Sequence, residues 1–206
     1  MSGPANKDTA LPLMESFYTI QGEGFHQGKA AYFIRLGGCD VGCHWCDVKE
    51  SWDVSAHPSV KVSEIVKEAL KYPSRIAVVT GGEPLMHDLT DLTSQLKDAG
   101  FQTHIETSGA YPITGHWDWI TFSPKKFKEP VANFGAFADE LKVIVYNKSD
   151  FEFAAKHAEK VNYLARLYLQ PEWDKSSIVM TEIIDFVKKY PQWQISLQSH
   201  KYLDIP

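Results

Sequence analysis

Along this chain, short β-rich runs stop abruptly in polar segments that carry glycine or proline. Residues 31–36 run into CDVGCHWCD, 75–79 into TGGEP, 102–105 into ETSG, 118–122 into SPK, and 165–169 into QPE. Amphipathic runs alternate with them. Val62, Ile65, Val66, Ala69 and Leu70 recur at helical spacing and Pro73 closes that helix; residues 89–99 follow the same pattern and stop at Gly100. Further helices are predicted over 150–160 and 178–190, and further strands over 140–146 and 194–197. This alternation predicts an α/β fold with a mainly parallel sheet. Strand C-termini in such sheets and barrels share one face, where sites are built, so the motifs should converge on one pocket. Residues 109–116 are few and contain Pro112, which leaves no helix between Ser108 and Trp117. The expectation is therefore a partial or open (βα) barrel with fewer helices than strands.

The length of 206 residues suits one domain, predicted over 14–206, behind a flexible lead-in over 1–13. Such a chain buries roughly 70% of its unfolded surface, enough for a core without staples. The net charge of −5, with no block of like charge, argues against nucleic acid as a partner. No run of about 18 apolar residues predicts a membrane span, and the first residues lack the apolar stretch of a signal peptide. Three cysteines, an odd number with no export signal, point to a reducing compartment, the cytoplasm by default, and to ligand chemistry.

Those cysteines, Cys39, Cys43 and Cys46, lie on one loop with the spacing C-x3-C-x2-C. Three thiolates can hold a [4Fe–4S] cluster and leave one iron open to a small molecule. The competing reading is a Cys3His zinc site that takes His44 or a distant histidine as its fourth ligand. Gly37, Gly38 and Gly42 let the backbone wrap a cluster, and Trp45 can shield it or simply pack. At the second strand end, Gly81 and Gly82 allow close approach of backbone to a zwitterionic ligand, while Glu83 offers an anion to an ammonium group.

The cysteine spacing together with Gly81-Gly82-Glu83-Pro84 resembles the radical S-adenosylmethionine (SAM) superfamily. FYTIQGEG at residues 17–24 and FIRLGGC at 33–39, with the later ETSG, SPK, ELK and LQP segments, sharpen the resemblance to the 7-carboxy-7-deazaguanine synthase family. That resemblance covers essentially everything beyond about residue 13. It implies contraction of 6-carboxy-5,6,7,8-tetrahydropterin to 7-carboxy-7-deazaguanine with loss of ammonia, for queuosine and related 7-deazapurines. The cofactors implied are the [4Fe–4S] cluster on Cys39, Cys43 and Cys46, SAM, which is regenerated in each turnover, and Mg²⁺. The partners expected are the pterin, an electron donor such as flavodoxin or ferredoxin, and a second copy of the chain in a homodimer.

Carried over residue by residue, Ile20, Gln21 and Gly22 would line the pterin with Glu23 nearby. Arg35 would pair with the substrate carboxylate, a task for a planar, always-charged fork, and Thr80 and the terminal Pro206 would also meet substrate. The SAM site would be built from Trp45 and Asp47, from Gly81, Gly82 and Glu83, and from Ser123, Pro124 and Lys125. Gln170, Pro171, Glu172 and Trp173 would complete it, with Glu106 and Ser108 as further candidates. The chain departs from the family at Val48. The family has a threonine there whose hydroxyl helps to hold Mg²⁺, and valine has no oxygen to offer. His104 is expected to be a hydrogen-bonded interior histidine, and His87, His157 and His200 show no metal-like spacing. Two alternatives stay open: a radical SAM activase acting on a protein glycine, and a zinc-stabilised binding module without catalysis. The first would need neither IQGEG nor Arg35.

Overall fold

The computed structural model describes residues 8–206. Strand β1 (Ala10–Ile20) pairs antiparallel with β2 (Ala30–Leu36) and, through residues 10–12, with the short β3 (Ser59–Lys61). From β2 onward every neighbour is parallel: β4 (Ile76–Gly81), β5 (Gln102–Thr107), β6 (Trp119–Phe122), β7 (Glu140–Val145), β8 (Arg166–Pro171) and β9 (Trp193–Ile195). The sheet order is β3-β1-β2-β4-β5-β6-β7-β8-β9, open at both edges. Helices α1 (Val62–Ala69), α2 (Thr90–Asp98), α3 (Ser149–Ala158) and α4 (Ser176–Lys189) cross between parallel strands, and α5 (Ser199–Leu203) ends the chain. Crossovers β5–β6 and β6–β7 carry no α-helix. This is the open barrel expected, with fewer helices than strands.

The lead-in is shorter than expected. Ala10 to Leu13 belong to β1, where Leu11 is buried and the Leu13 N–H donates to Pro58 O at 2.9 Å. Residues 1–7 lie outside the described residues. Strand β3 and helix α5 were not expected, because three and five residues are too few to show a period.

Alternation along each strand separates two environments. One face packs on the helices: Leu36, Ala77, Val79, Ile105, Phe122, Leu141, Val143 and Leu169 share a core with Ile65 of α1, Leu92 and Leu96 of α2, and Val179 and Ile183 of α4. The other, concave face carries a small apolar patch of Ala31, Phe33 and Val78 near its base. Towards the strand C-termini it turns polar: Arg35, Thr80, Glu106, Lys142 and Gln170 all face the same cavity. Capping is local and ordinary. The N-terminus of α1 is held by Asp8, which accepts from Ser63 N at 3.0 Å, with Glu64 in the first turn and Lys67 in the last.

Candidate active site

The cysteine loop leaves β2 at Leu36 and folds against the end of β4. Gly82 N donates to Leu36 O at 2.8 Å and Glu83 N to Gly38 O at 2.9 Å. A Cβ on Gly82 would collide with Gly38 O, and one on Gly81, at φ +120°, with Leu36. The Gly-Gly pair is therefore required first to dock one loop on the other. Outside, Asp40 accepts from Tyr111 Oη at 2.6 Å and Lys128 Nζ at 2.7 Å, while Val41, Cys43 and Ala110 pack beneath. Burial pushes the Cys43 thiol up to about 11 and raises Cys39 as well, so thiolates here need a bound cation to form. Val48 N donates to Cys46 Sγ at 3.4 Å, the kind of N–H···S contact that tunes a cluster.

Could these residues hold such a cluster? The three cysteines line one wall of a cavity of about 260 Å³. Among the described residues no three His, Cys, Asp or Glu side chains converge on a single point. Cys39, Cys43 and Cys46 nevertheless belong to one small packed group with Val41 and Ala110, so one cluster could take all three thiolates.

Glu83 departs from expectation. It is 2% exposed and its carboxylate is saturated: Oε1 accepts from Leu85 N at 3.1 Å and Thr107 Oγ1 at 2.6 Å, and Oε2 from Ser108 N at 2.8 Å and Ser108 Oγ at 2.5 Å. It ties β4 to β5, leaving backbone rather than a free carboxylate to meet an ammonium group. Ser108 is engaged in the same tie.

On the opposite wall the β1–β2 loop folds into the concavity. Gln21 Nε2 donates to Glu106 Oε1 at 3.0 Å, and Lys142 Nζ pairs with Glu106 at 2.9 Å and with Glu23. Glu106, expected beside SAM, is thus joined to Gln21 directly and to Glu23 through Lys142. Burial opposes the Glu23 charge, but Lys142 outweighs it and holds the carboxyl down at about 2. The same two carboxylates overcome desolvation at Lys142 and raise its pKa. Lys142 was missed as a site residue. The available signal was two charges at period two, Glu140 and Lys142, in the otherwise apolar strand ELKVIV.

Arg35 and Thr80 are register partners on β2 and β4. The guanidinium lies 5.1 Å over the Phe17 ring and donates to Glu15 at 2.9 Å, which leaves most of its five donors for an anion. Ser123 and Lys125 close the far end, with Lys125 Nζ donating to Ser123 Oγ at 2.7 Å and its pKa lowered by burial. Pro124 is buried and does not line the cavity. Gln170 Oε1 accepts from Ser196 Oγ at 2.7 Å and Glu172 Oε2 from Lys175 N at 3.0 Å, while Pro171 and Trp173 remain on the wall.

The C-terminal segment straps the two halves together, and sequence reading missed all of it except Pro206. Ser199 N donates to Gly22 O at 3.0 Å and Gln198 Nε2 to Glu23 Oε1 at 3.0 Å. Lys201 pairs with Asp47 at 3.1 Å and lies 5.0 Å over Trp173. His200 packs on Gly22, where a Cβ would strike its ring, and burial lowers its pKa. Every candidate except Pro124 therefore borders one cavity, joined by Lys142, Gln198, His200 and Lys201.

Residues 33–127 match the model of the Radical SAM superfamily. A 7-carboxy-7-deazaguanine synthase of Flavobacterium psychrophilum is 61% identical over 97% of this chain and 95% of its own length. One of Synechocystis is 48% identical over 95% and 94%.

The chain belongs to the 7-carboxy-7-deazaguanine synthase family of radical SAM enzymes.

The crystal structure of QueE from Escherichia coli superposes with a TM-score of 0.81 at 30% identity, covering 91% of this chain and 93% of that one. Synthase membership removes the zinc module and the glycine activase as readings. The cluster-and-SAM chemistry of the radical SAM family applies. Among the described residues no helix is long and apolar enough to cross a membrane.

Proposed function

We infer that the chain is a 7-carboxy-7-deazaguanine synthase, contracting 6-carboxy-5,6,7,8-tetrahydropterin with loss of ammonia in 7-deazapurine biosynthesis. The observation that carries this is the pairing of two walls across one cavity. The cysteine loop docked on Gly81-Gly82 faces a polar wall of Gln21, Glu23, Arg35, Thr80 and Glu106. When bound, the cluster that Cys39, Cys43 and Cys46 would hold, together with SAM, would supply the means of hydrogen-atom abstraction from the substrate. The rest is the work of this chain's side chains. Arg35 and Thr80 would take the substrate carboxylate, Arg35 as a bidentate fork. Gln21 and the Glu23 and Glu106 carboxylates would face the amino and ring N–H groups of the pterin, with Lys142 paired to both. Asp47, held by Lys201, and Trp173 would bound SAM.

Support for Mg²⁺ is thinner, because Val48 lines the cavity without an oxygen. Water, substrate oxygens or another carboxylate would have to serve. We assign the reductant to a small acidic electron carrier of the flavodoxin or ferredoxin class, the assembly to a homodimer and the compartment to the cytoplasm. The test is anaerobic cluster reconstitution, then incubation with SAM, dithionite and the carboxylated tetrahydropterin, with and without Mg²⁺. The expected result is 7-carboxy-7-deazaguanine without net loss of SAM. SAM cleavage with the pterin untouched would overturn the substrate assignment.

A further inference from the structure

Behind the pterin wall lies a second, smaller cavity of about 10 Å³, bordered by Gln21, Glu23, His26, Glu106, Trp119 and Glu140. That volume is about one water molecule's worth. Both ring nitrogens of His26 are buried and have no hydrogen-bond partner among the described residues, while the Trp119 indole N–H lies towards the Glu140 carboxyl. The His26 ring is wedged between Trp119, at 4.6 Å, and His104, at 4.4 Å, so these polar atoms cannot turn to solvent. His104 is interior as expected, but tilted ring contacts with His26 and Trp119 pack it. Buried polar groups without protein partners beside a water-sized space are the ordinary setting of a structural water.

Glu140 borders the same space. Its Oε2 accepts from Phe25 N at 2.9 Å, and a Cβ on Gly24 would collide with Oε1, so the β1–β2 loop closes directly over it. Two other members of the lining, Glu23 and Glu106, also border the main cavity. The smaller cavity thus joins a carboxyl that cannot touch substrate to two that can.

We propose that Glu140, through a water held in this cavity, relays protons to and from Glu106 during the loss of ammonia. The proposal rests on the ring-contraction reading. In that step a carbon–nitrogen bond breaks, its electron pair leaves with nitrogen, and the nitrogen takes up a proton. A neighbouring ring carbon gives up a proton, and its C–H pair becomes the new double bond. The two transfers cancel and no oxidant or reductant is consumed. A group able both to give and to accept a proton near neutrality serves both halves. Burial pushes Glu140 up to about 7, against the pull of Lys142, whereas Glu23 stays ionised. The charged and titratable groups around Glu140 are Lys142 on its own strand, Glu23 and His26 from the β1–β2 loop, His104 and Glu106 from β5, and Arg166 and Tyr168 from β8. β6 contributes only the uncharged Trp119 and Thr121.

Glu140 acts here through other residues, so the test must read more than a rate. Infrared pH titration of cluster-free protein, wild type against Glu140→Gln, should show a protonated carboxyl band that titrates near neutrality and is missing from the variant. In reconstituted enzyme, Glu140→Gln should lower kcat by at least about ten-fold, leave KM within about two-fold, and erase the limb of the kcat–pH profile near neutrality. His26→Phe, which removes the outer partner of the water, should shift the profile in the same direction with a smaller loss. A Glu140 band absent or invariant between about pH 5 and 9, or a variant profile parallel to the wild type, overturns the relay. Wild-type protein that makes no deazaguanine overturns the parent reading instead, and the relay with it.

Discussion

At residue scale, the concave wall is decided by which charges share burial. Lys142 is 3% exposed between Glu23 and Glu106. Lys142→Met would leave two half-buried carboxylates without their shared cation, a loss of about 3 kcal/mol at neutral pH, read as a fall in Tm. The sign with pH follows from Glu23. Its folded pKa, about 2, lies below its ordinary 4.5, so its contribution is present above the unfolded value and is lost as pH falls towards 2. The penalty in Lys142→Met should accordingly shrink in acid. Glu140 has the opposite sign. Its pKa rises from 4.5 to about 7, so its contribution is complete below the unfolded value and is lost as pH rises through 7. Glu140→Gln should therefore gain thermal stability over wild type at about pH 8 and lose that gain by about pH 4. At the cysteine loop, Val48→Thr restores a hydroxyl on the cavity wall. Titrating Mg²⁺ into both proteins should show a stronger stimulation of turnover in the variant.

At the scale of elements, two loops and one helix do the positioning. Gly82→Ala drives a methyl group into Gly38 O and towards Cys39 Cβ. The cysteine loop must then lift from β4. Iron and sulfide analysis after reconstitution should show a large loss of cluster, while the far-UV circular dichroism of the sheet is kept. Helix α5 joins Gly22 and Glu23 on one side to Asp47 and Trp173 on the other. Deleting residues 199–206 should raise KM for the pterin by about ten-fold or more, because the strap that orders the β1–β2 loop is lost. SAM cleavage without pterin should change less, since the cysteine loop keeps its contacts with β4.

Across the whole molecule, much was legible before any coordinates. The strand–helix alternation, the missing helix after β5 and the convergence of the strand-end motifs all follow from local pattern, because parallel strands leave their C-termini on one edge. The short β3 and α5 were not legible, because too few residues repeat to make a period. The role of Glu83 was not legible either. A glutamate after two glycines reads as a ligand for an ammonium group, and only the packing of β4 on β5 shows both its oxygens already filled by Thr107 and Ser108. Glu106 reads as a neighbour of SAM from its place after a strand, yet the inward fold of residues 21–24 puts it beside Gln21.

The sequence by itself determined the chemistry available and the order in which it is delivered: three thiols on one loop, a Gly-Gly turn, an arginine on a core strand, and the strands that carry them. These are properties of short segments, set by residue type, spacing and backbone permission. The tertiary structure alone decided which side chains are paired, spent or held in reserve. Lys142 became the hub of the concave wall, Glu83 a strut, Glu140 a carboxyl near neutrality and α5 a strap. Each depends on burial and on partners between 24 and 177 residues away. Desolvation and charge pairing are properties of the folded neighbourhood, which no local pattern carries.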